Sequence, residues 1–278
     1  MKFLKKKENL IIKNRLWKFI KLKNNNLIIG KFPKFKHSQI EIKGSNNILY
    51  CDGKVQLNNS VIKFNGNNSL IFLGEGQYTI DITVHNNSTV YIGKKNYFNL
   101  HRNKSEIILS EGKNLFIGDK GAFSFGLFFR TADPHLIYDN STHKRINDSK
   151  SIYIGDHVWI GQNATILKGS NIHSGSIIGT QSVISNKKIN SNEIWAGVPA
   201  KKLKNNIFWT GKCVHAWTPE DTLKNKYYKE DEYIYTPTSS TISFETIEHT
   251  LNSCQNAYDK YLYLKTLPTD KNRFASYN

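Results

Sequence analysis

SIYIGDHVWIGQNATILKGSNIHSGSIIGTQSVIS, residues 151–185, decides the fold. An isoleucine returns at every sixth position: Ile154, Ile160, Ile166, Ile172, Ile178 and Ile184. Four residues after each of the first five come Val158, Ala164, Ser170, Ser176 and Ser182. Gly155, Gly161 and Gly179 directly follow three of the isoleucines. A period of six is neither the 3.6 of a helix nor the 2 of simple strand alternation. It fits a parallel coil with three flat sides, one hexapeptide to a side. The isoleucine points into a narrow triangular core, and the small residue sits near a corner where nothing larger fits. Glycine at a turn allows backbone angles that a β-carbon would penalise.

Working upstream, Ile117, Phe123 and Phe129 keep the same period, and then the pattern stops. Residues 130–149, RTADPHLIYDNSTHKRINDS, are too polar and too long for one side of a coil. They read as a loop extruded from the scaffold, where catalytic groups are often carried. From Leu27 to Lys120 a degenerate form of the coil runs through IEI at 40–42, VIKF at 61–64, LIFL at 70–73 and VYIG at 90–93. Between these lie Asn-rich corners at 45–47, 66–68 and 85–87, spaced 21 and then 19 residues, near the 18 of a three-hexapeptide turn. Asparagine tolerates left-handed angles and bonds its own backbone, so these corners read as structural. His85 and His101 fall here and read as surface or corner residues.

Three regions result: a basic amphipathic segment 1–26, a β-helix 27–204 with its loop 130–149, and a helical appendage 205–278. Residues 1–24 hold eight Lys, one Arg and the single acid Glu8. Ile12, Leu16, Phe19 and Ile20 would share one face of a helix that plugs the open end of the coil. The alternative is a peripheral contact with a membrane surface. In the appendage, Thr218 and Pro219 start one helix, with Glu220 and Asp221 in its first turn. A second helix is expected from Ser243 to Leu264, with Ile247, Leu251, Cys254, Tyr258 and Tyr261 on one face and Pro268 beyond its end.

The chain has 278 residues and a formal net charge of +17, a balance that favours acidic partners. No nucleic-acid recognition motif accompanies the charge, so nucleic acid is not an expected partner. Cys51, Cys213 and Cys254 form no metal-ligand spacing and read as reduced thiols. No signal peptide and no membrane-length apolar run is visible, which places the chain in the cytoplasm, with residues 1–24 able to touch the inner face of the membrane. No metal is expected.

Among nine histidines, His135 stands out, because it sits in the extruded loop between Asp133 and Asp139, either of which could orient its ring. An imidazole near its ordinary pKa suits a general base. His143, in the same loop, is the fallback. Trp159 occupies an outward position, where a large aromatic needs a subunit contact or a ligand to cover it.

Ser151 to Lys204, with VWIG at 158–161 and GVPAK at 197–201, resembles the hexapeptide-repeat acetyltransferases, and TADPHLIYD at 131–139 resembles the bacterial sialate and polysialate O-acetyltransferases. The resemblance implies a left-handed β-helix, a homotrimer with sites between subunits, and acetyl-CoA as co-substrate. It implies His135 as catalytic base and a functional role for Trp159. His157, in GDHVWIG, matches a histidine that points outward from the coil. Gly161, Gln162, Gly179, Thr180, Ser185, Lys187, Lys201 and Lys204 match positions along the cofactor groove. Ser185 and Asn186 stand where related enzymes have Thr-Lys; Lys187 and Lys188 follow instead. The implied reaction is direct attack by a carbohydrate hydroxyl, with sialic acid in a bacterial lipooligosaccharide or capsule as the acidic acceptor. Acetylation of another sugar, an antibiotic or serine is the alternative, and a non-catalytic scaffold is the alternative of another class.

Overall fold

The computed structural model describes residues 5–6, 9–12 and 19–276. They form a parallel β-solenoid of about seven turns, with a few small helices at the C-terminal end. Three sheets of nine, ten and six strands make its three sides. The first side carries, among others, Ser105–Leu109, Phe128–Arg130, Thr165–Leu167 and Val183–Ile184. The second carries Thr89–Ile92, Asn114–Ile117, Ile152–Ile154 and Asn171–Ile172. The third carries Tyr97–Phe98, Ala122–Phe123, Trp159–Ile160, Ile177–Ile178 and Ile194–Gly197. Each turn visits the sides in that order. All six isoleucines of the repeat are fully buried, as are Val158, Ala164, Ser170, Ser176 and Ser182.

Corners close by bonds passed from turn to turn. Asn26 Oδ1 accepts from Asn47 N at 2.9 Å, and Asn47 Oδ1 accepts from Ser69 N at 2.9 Å. Asn86 Oδ1 accepts from Asn67 N at 2.8 Å. Asn46, Asn68 and Asn87 have φ between 57° and 60°. The asparagines thus supply both the left-handed angle and a partner for an otherwise unpaired corner N–H.

Two expectations are corrected. The N-terminal helix is not present among the described residues: Asn9–Ile12 is a strand antiparallel to 40–42, and Phe19–Lys21 is a strand antiparallel to 27–29. An open solenoid end presents unpaired N–H and C=O groups, and strand addition satisfies them where a helix would not. Ile20 is buried in the core. Leu16 and most of the basic segment lie outside the described residues.

The single helix expected over 243–264 is two. The first helix of the appendage, α1, is Pro219–Lys224, and the Thr218–Asp221 capping box starts it as expected. Next come α2, Phe244–Ser253, and α3, Ala257–Lys265. Asn256 breaks the run because its side chain accepts from Tyr258 N and Asp259 N, both at 2.9 Å, capping α3. The break turns Tyr258 out to solvent and brings Ala257 and Leu264 inward instead.

Of these, α2 and α3, with the segment that follows them, cover the outer face of the second side. That face carries a ladder of rings, Tyr50, Phe72, Tyr91, Phe116 and Tyr153, with the first four centroids 4.5–4.7 Å apart in succession. Phe244, Ile247, Leu251, Leu264 and Phe274 pack over it. Arg273, 3% exposed, fixes the covering segment to two corner carboxylates. It donates to both Asp156 oxygens at 2.8 Å and lies 2.9 Å from Asp119.

Candidate functional site

The loop leaves the first side after Arg130 and rejoins the second side at Ile152. Lys150 N donates to Thr131 O at 3.1 Å, closing its base. Its tip is an Asp139 turn. Asp139 Oδ1 accepts from Ser141 N and Oγ and from Thr142 N and Oγ1, at 2.7–3.1 Å. These bonds, led by the Ser141 hydroxyl, hold the Asp139 carboxyl well below the ordinary range. Asn147, buried, braces the middle. Its Oδ1 accepts from Ile137 N at 2.9 Å, and its Nδ2 donates to His135 O at 2.8 Å and Asp133 Oδ2 at 3.0 Å. Lys168, on the next turn, donates to Asp133 Oδ2 at 2.6 Å and Asn147 O at 3.0 Å. The Lys168 bond lowers the Asp133 pKa. Arg145 meets both Glu111 oxygens at 2.9 Å, and Ser149 Oγ also donates to Glu111. Asp133 and Asp139 are thus engaged in bracing the loop, and among the described residues neither bonds the His135 ring.

His135 itself is exposed, at the end of this brace, and its backbone rather than its ring is tied down. His143 is exposed at the tip with φ 53°. Beside His135, Leu136, Ile137, Tyr138 and Ile146 are each at least half exposed.

Trp159 lies on the third side and is 43% exposed. Gly161, Gln162, Gly179 and Thr180 sit at the corner between the third and first sides. A Cβ on Gly161 would come 2.6 Å from Thr180 N, and one on Gly179 would come 2.6 Å from Ala196 Cβ. These glycines let successive corners stack closely. Thr180 Oγ1 donates to Gln162 O at 2.8 Å, so the two exposed side chains are one turn apart on one ridge. Lys201 and Lys204 are exposed on Ala200–Lys204, which folds back antiparallel on Ile194–Gly197. Neither forms an ion pair among the described residues, whereas Lys202 pairs with Glu193 at 3.2 Å. Ser185 and Lys187 lie at the other corner, between the first and second sides, where the His135 loop also emerges. The expected residues therefore form two groups, with the strands of the first side between them.

His157 points outward from the coil, away from its core, but the C-terminal segment covers it. It is 5% exposed, and burial lowers its pKa. Its ring stacks on Trp209 at 3.9 Å and 3°, with Tyr233 on it at 4.7 Å. Trp209 Nε1 donates to His157 O at 3.0 Å, and His157 Nε2 lies 3.0 Å from Trp209 O. Trp209 stands 5.9 Å from Trp159. Nothing in the chain's pattern signals this partnership beyond the presence of a tryptophan just past the repeats. Lys168 and Asn147 were also missed, since their roles depend on a neighbouring turn.

Residues 151–186 match the family model for the bacterial transferase hexapeptide, six repeats. The chain is similar to polysialic acid O-acetyltransferase of Neisseria meningitidis, 33% identical over 208 residues, which is 74% of this chain and 95% of that protein. It is similar in structure to the polysialic acid O-acetyltransferase OatWY, with a TM-score of 0.60 and 30% identity over 70% of this chain and 92% of that one. The polySia-specific acetyltransferase NeuO gives a TM-score of 0.59 and 27% identity over 70% and 91%. The chain belongs to the hexapeptide-repeat transferases, in the group that contains the polysialic acid O-acetyltransferases.

Proposed function

We propose that the protein is an acetyl-CoA-dependent O-acetyltransferase acting on a sialic acid hydroxyl of a bacterial surface glycan, with His135 as general base. The observation that carries this is an exposed imidazole on a loop braced by Asn147, Lys168 and Arg145. A rigid backbone under a free ring positions a base without occupying it. Acetyl-CoA would supply an acetyl group activated as a thioester. The groove residues fit it chemically: Lys201 and Lys204, which form no ion pair among the described residues, offer cations for phosphates, and Gln162 and Thr180 offer polar groups along one ridge. His135 takes the acceptor hydroxyl proton as that oxygen bonds to the acetyl carbon, then returns it to the departing sulfur.

The two residue groups straddle the first side, which supports a site completed by a neighbouring copy. A loop from one protomer would meet the Trp159 and Gln162 ridge of the next, covering Leu136, Ile137, Tyr138 and Ile146. A homotrimer gives three such sites. The excess positive charge suits an acidic acceptor and cofactor. Work at the inner face of the membrane completes this reading.

His135→Ala should lower kcat by about 10²- to 10⁴-fold with the KM for acetyl-CoA little changed; near-normal turnover would refute the assignment. Mixing His135→Ala with Trp159→Ala chains after unfolding and reassembly should restore part of the activity. Failure of any mixture to recover it, or a monomer mass by light scattering, would overturn the shared site.

A further inference from the structure

The positive charge is concentrated at one end of the chain. Residues 1–65 hold fifteen of the 39 Lys and Arg but only three of the 22 Asp and Glu, which places +12 of the +17 net charge there. The described part of this excess lies mainly on the first turn of the solenoid. Lys21 ends Phe19–Lys21, the outermost strand of the second side, and Lys23 follows it closely. Lys31 follows Leu27–Gly30, Lys34 and Lys36 lie on a strand that pairs with 56–58, and Lys43 ends Gln39–Lys43 on the first side. All six are exposed, and none of their ammoniums has an ion-pair or hydrogen-bond partner among the described residues. Glu41, the acid of this turn, accepts from Gln39 Nε2 at 2.7 Å. Asp52, on the next turn, is taken by Lys94 at 2.9 Å and Lys265 at 3.8 Å. Six like charges on one turn repel each other, and an anionic partner would relieve that repulsion.

We propose that the first turn is a contact surface for an anionic lipid membrane, with the solenoid standing end-on to it. The proposal rests on the membrane placement above, to which it assigns a surface, and is independent of the acceptor. The six lysines surround the turn instead of lining a groove, so a plane across the solenoid axis can meet all of them. Residues 19–65 contain no Arg. An ammonium is a point charge that needs no fixed partner geometry, whereas the guanidinium fork suits a phosphate held in one place. A headgroup layer offers negative charge without fixed geometry and attracts clustered lysines. Distance separates this charge from the transfer chemistry. On the first side, Phe128–Arg130, where the His135 loop begins, is four strands beyond Gln39–Lys43. At about 4.8 Å per strand this is roughly 19 Å, more than twice the screening length of about 8 Å at physiological salt. The first-turn field therefore does not steer a ligand to the loop, and end-on contact leaves the loop clear of the lipid.

The test is sedimentation of the full chain with vesicles of equal parts phosphatidylglycerol and phosphatidylcholine, or of phosphatidylcholine alone. The chain should sediment with the anionic vesicles and not with the neutral ones. Lys23→Glu/Lys34→Glu/Lys36→Glu should lower the partition coefficient about 100-fold or more. Lys224→Glu/Lys226→Glu/Lys229→Glu makes the same change of net charge at exposed positions of the appendage and should lower it less than about fivefold. Lys23→Gln/Lys34→Gln/Lys36→Gln should fall between the two. Binding should be lost in 1 M salt, where the screening length is about 3 Å. The first-turn variants should keep the Tm and the acetyl transfer to a soluble acceptor, so this test is read separately from that of the transferase reading. No binding of the unaltered chain to anionic vesicles would overturn the membrane placement and the surface together. Equal losses in the two Glu variants, binding retained in 1 M salt, or tighter binding to duplex DNA than to anionic vesicles at the same salt would overturn the surface alone.

Discussion

Replacing Arg273 with Met removes the guanidinium that ties the C-terminal segment to the solenoid. Arg273 is 3% exposed, and its Asp156 partner is nearly as buried. Removing one partner of a buried ion pair leaves an uncompensated charge and costs about 3–5 kcal/mol. Asp119 is better hydrated, at 24% side-chain exposure, and adds little to that cost. For a chain of this size each kcal/mol lowers Tm by about 2–4 °C, so a fall of at least about 6 °C is expected by calorimetry. Adding Asp156→Asn to Arg273→Met removes the stranded carboxylate and should recover at least half of the loss. The deficit should also depend on pH. Burial holds the Asp156 carboxyl above its ordinary pKa, and Arg273 offsets part of this. As pH falls, the folded state takes up that proton before the unfolded chain does. The deficit is therefore full above the folded pKa and shrinks as pH falls through it. A Tm within about 1 °C of the unaltered protein, or losses that simply add in the double variant, would refute the reasoning.

Lys168→Met should unseat Asp133 and Asn147 beneath His135 and lower kcat by about 10²-fold, while Tm changes little because the pair is partly exposed; unchanged kcat would detach this brace from catalysis. His173 is buried against Phe244 at 4.6 Å, and burial lowers its pKa to about 4. The unfolded chain protonates near 6.5, so this residue's share of stability is full above pH 6.5 and falls by about 3 kcal/mol on reaching pH 4. His173→Phe should flatten that part of the pH profile in chemical denaturation. The Glu111 carboxyl, lowered to about 2 chiefly by Arg145, contributes above its ordinary pKa and loses that contribution as pH falls toward 2. Arg145→Ala should return it toward the ordinary range in an NMR titration.

Much of the site's setting was legible in advance. The isoleucine period placed the core, and the interruption after Phe129 placed the loop that carries His135. What it could not supply was which groups brace that loop. Asp133 and Asp139 looked like partners for the histidine because they are its neighbours in the chain. Lys168, 35 residues from Asp133, takes one of them, and a turn of hydroxyls takes the other. The N-terminal segment has a helical spacing of apolar residues, yet its described parts pair as strands, because the open end of a sheet offers hydrogen bonds that spacing does not register.

Local pattern determined the solenoid, since a six-residue period fixes which side chain enters the core on every side. It also determined the corners, since asparagine and glycine meet backbone requirements that are local. Long-range packing decided three other things: His157 is buried under Trp209, Arg273 clamps two corner carboxylates, and α2 and α3 cover a ring ladder on the second side. Each of these depends on residues dozens of positions apart, brought together because the solenoid stacks distant turns at strand spacing while the appendage folds back across them. Local pattern specifies the turn; contact between the turns and the returning chain specifies the surface on which chemistry can occur.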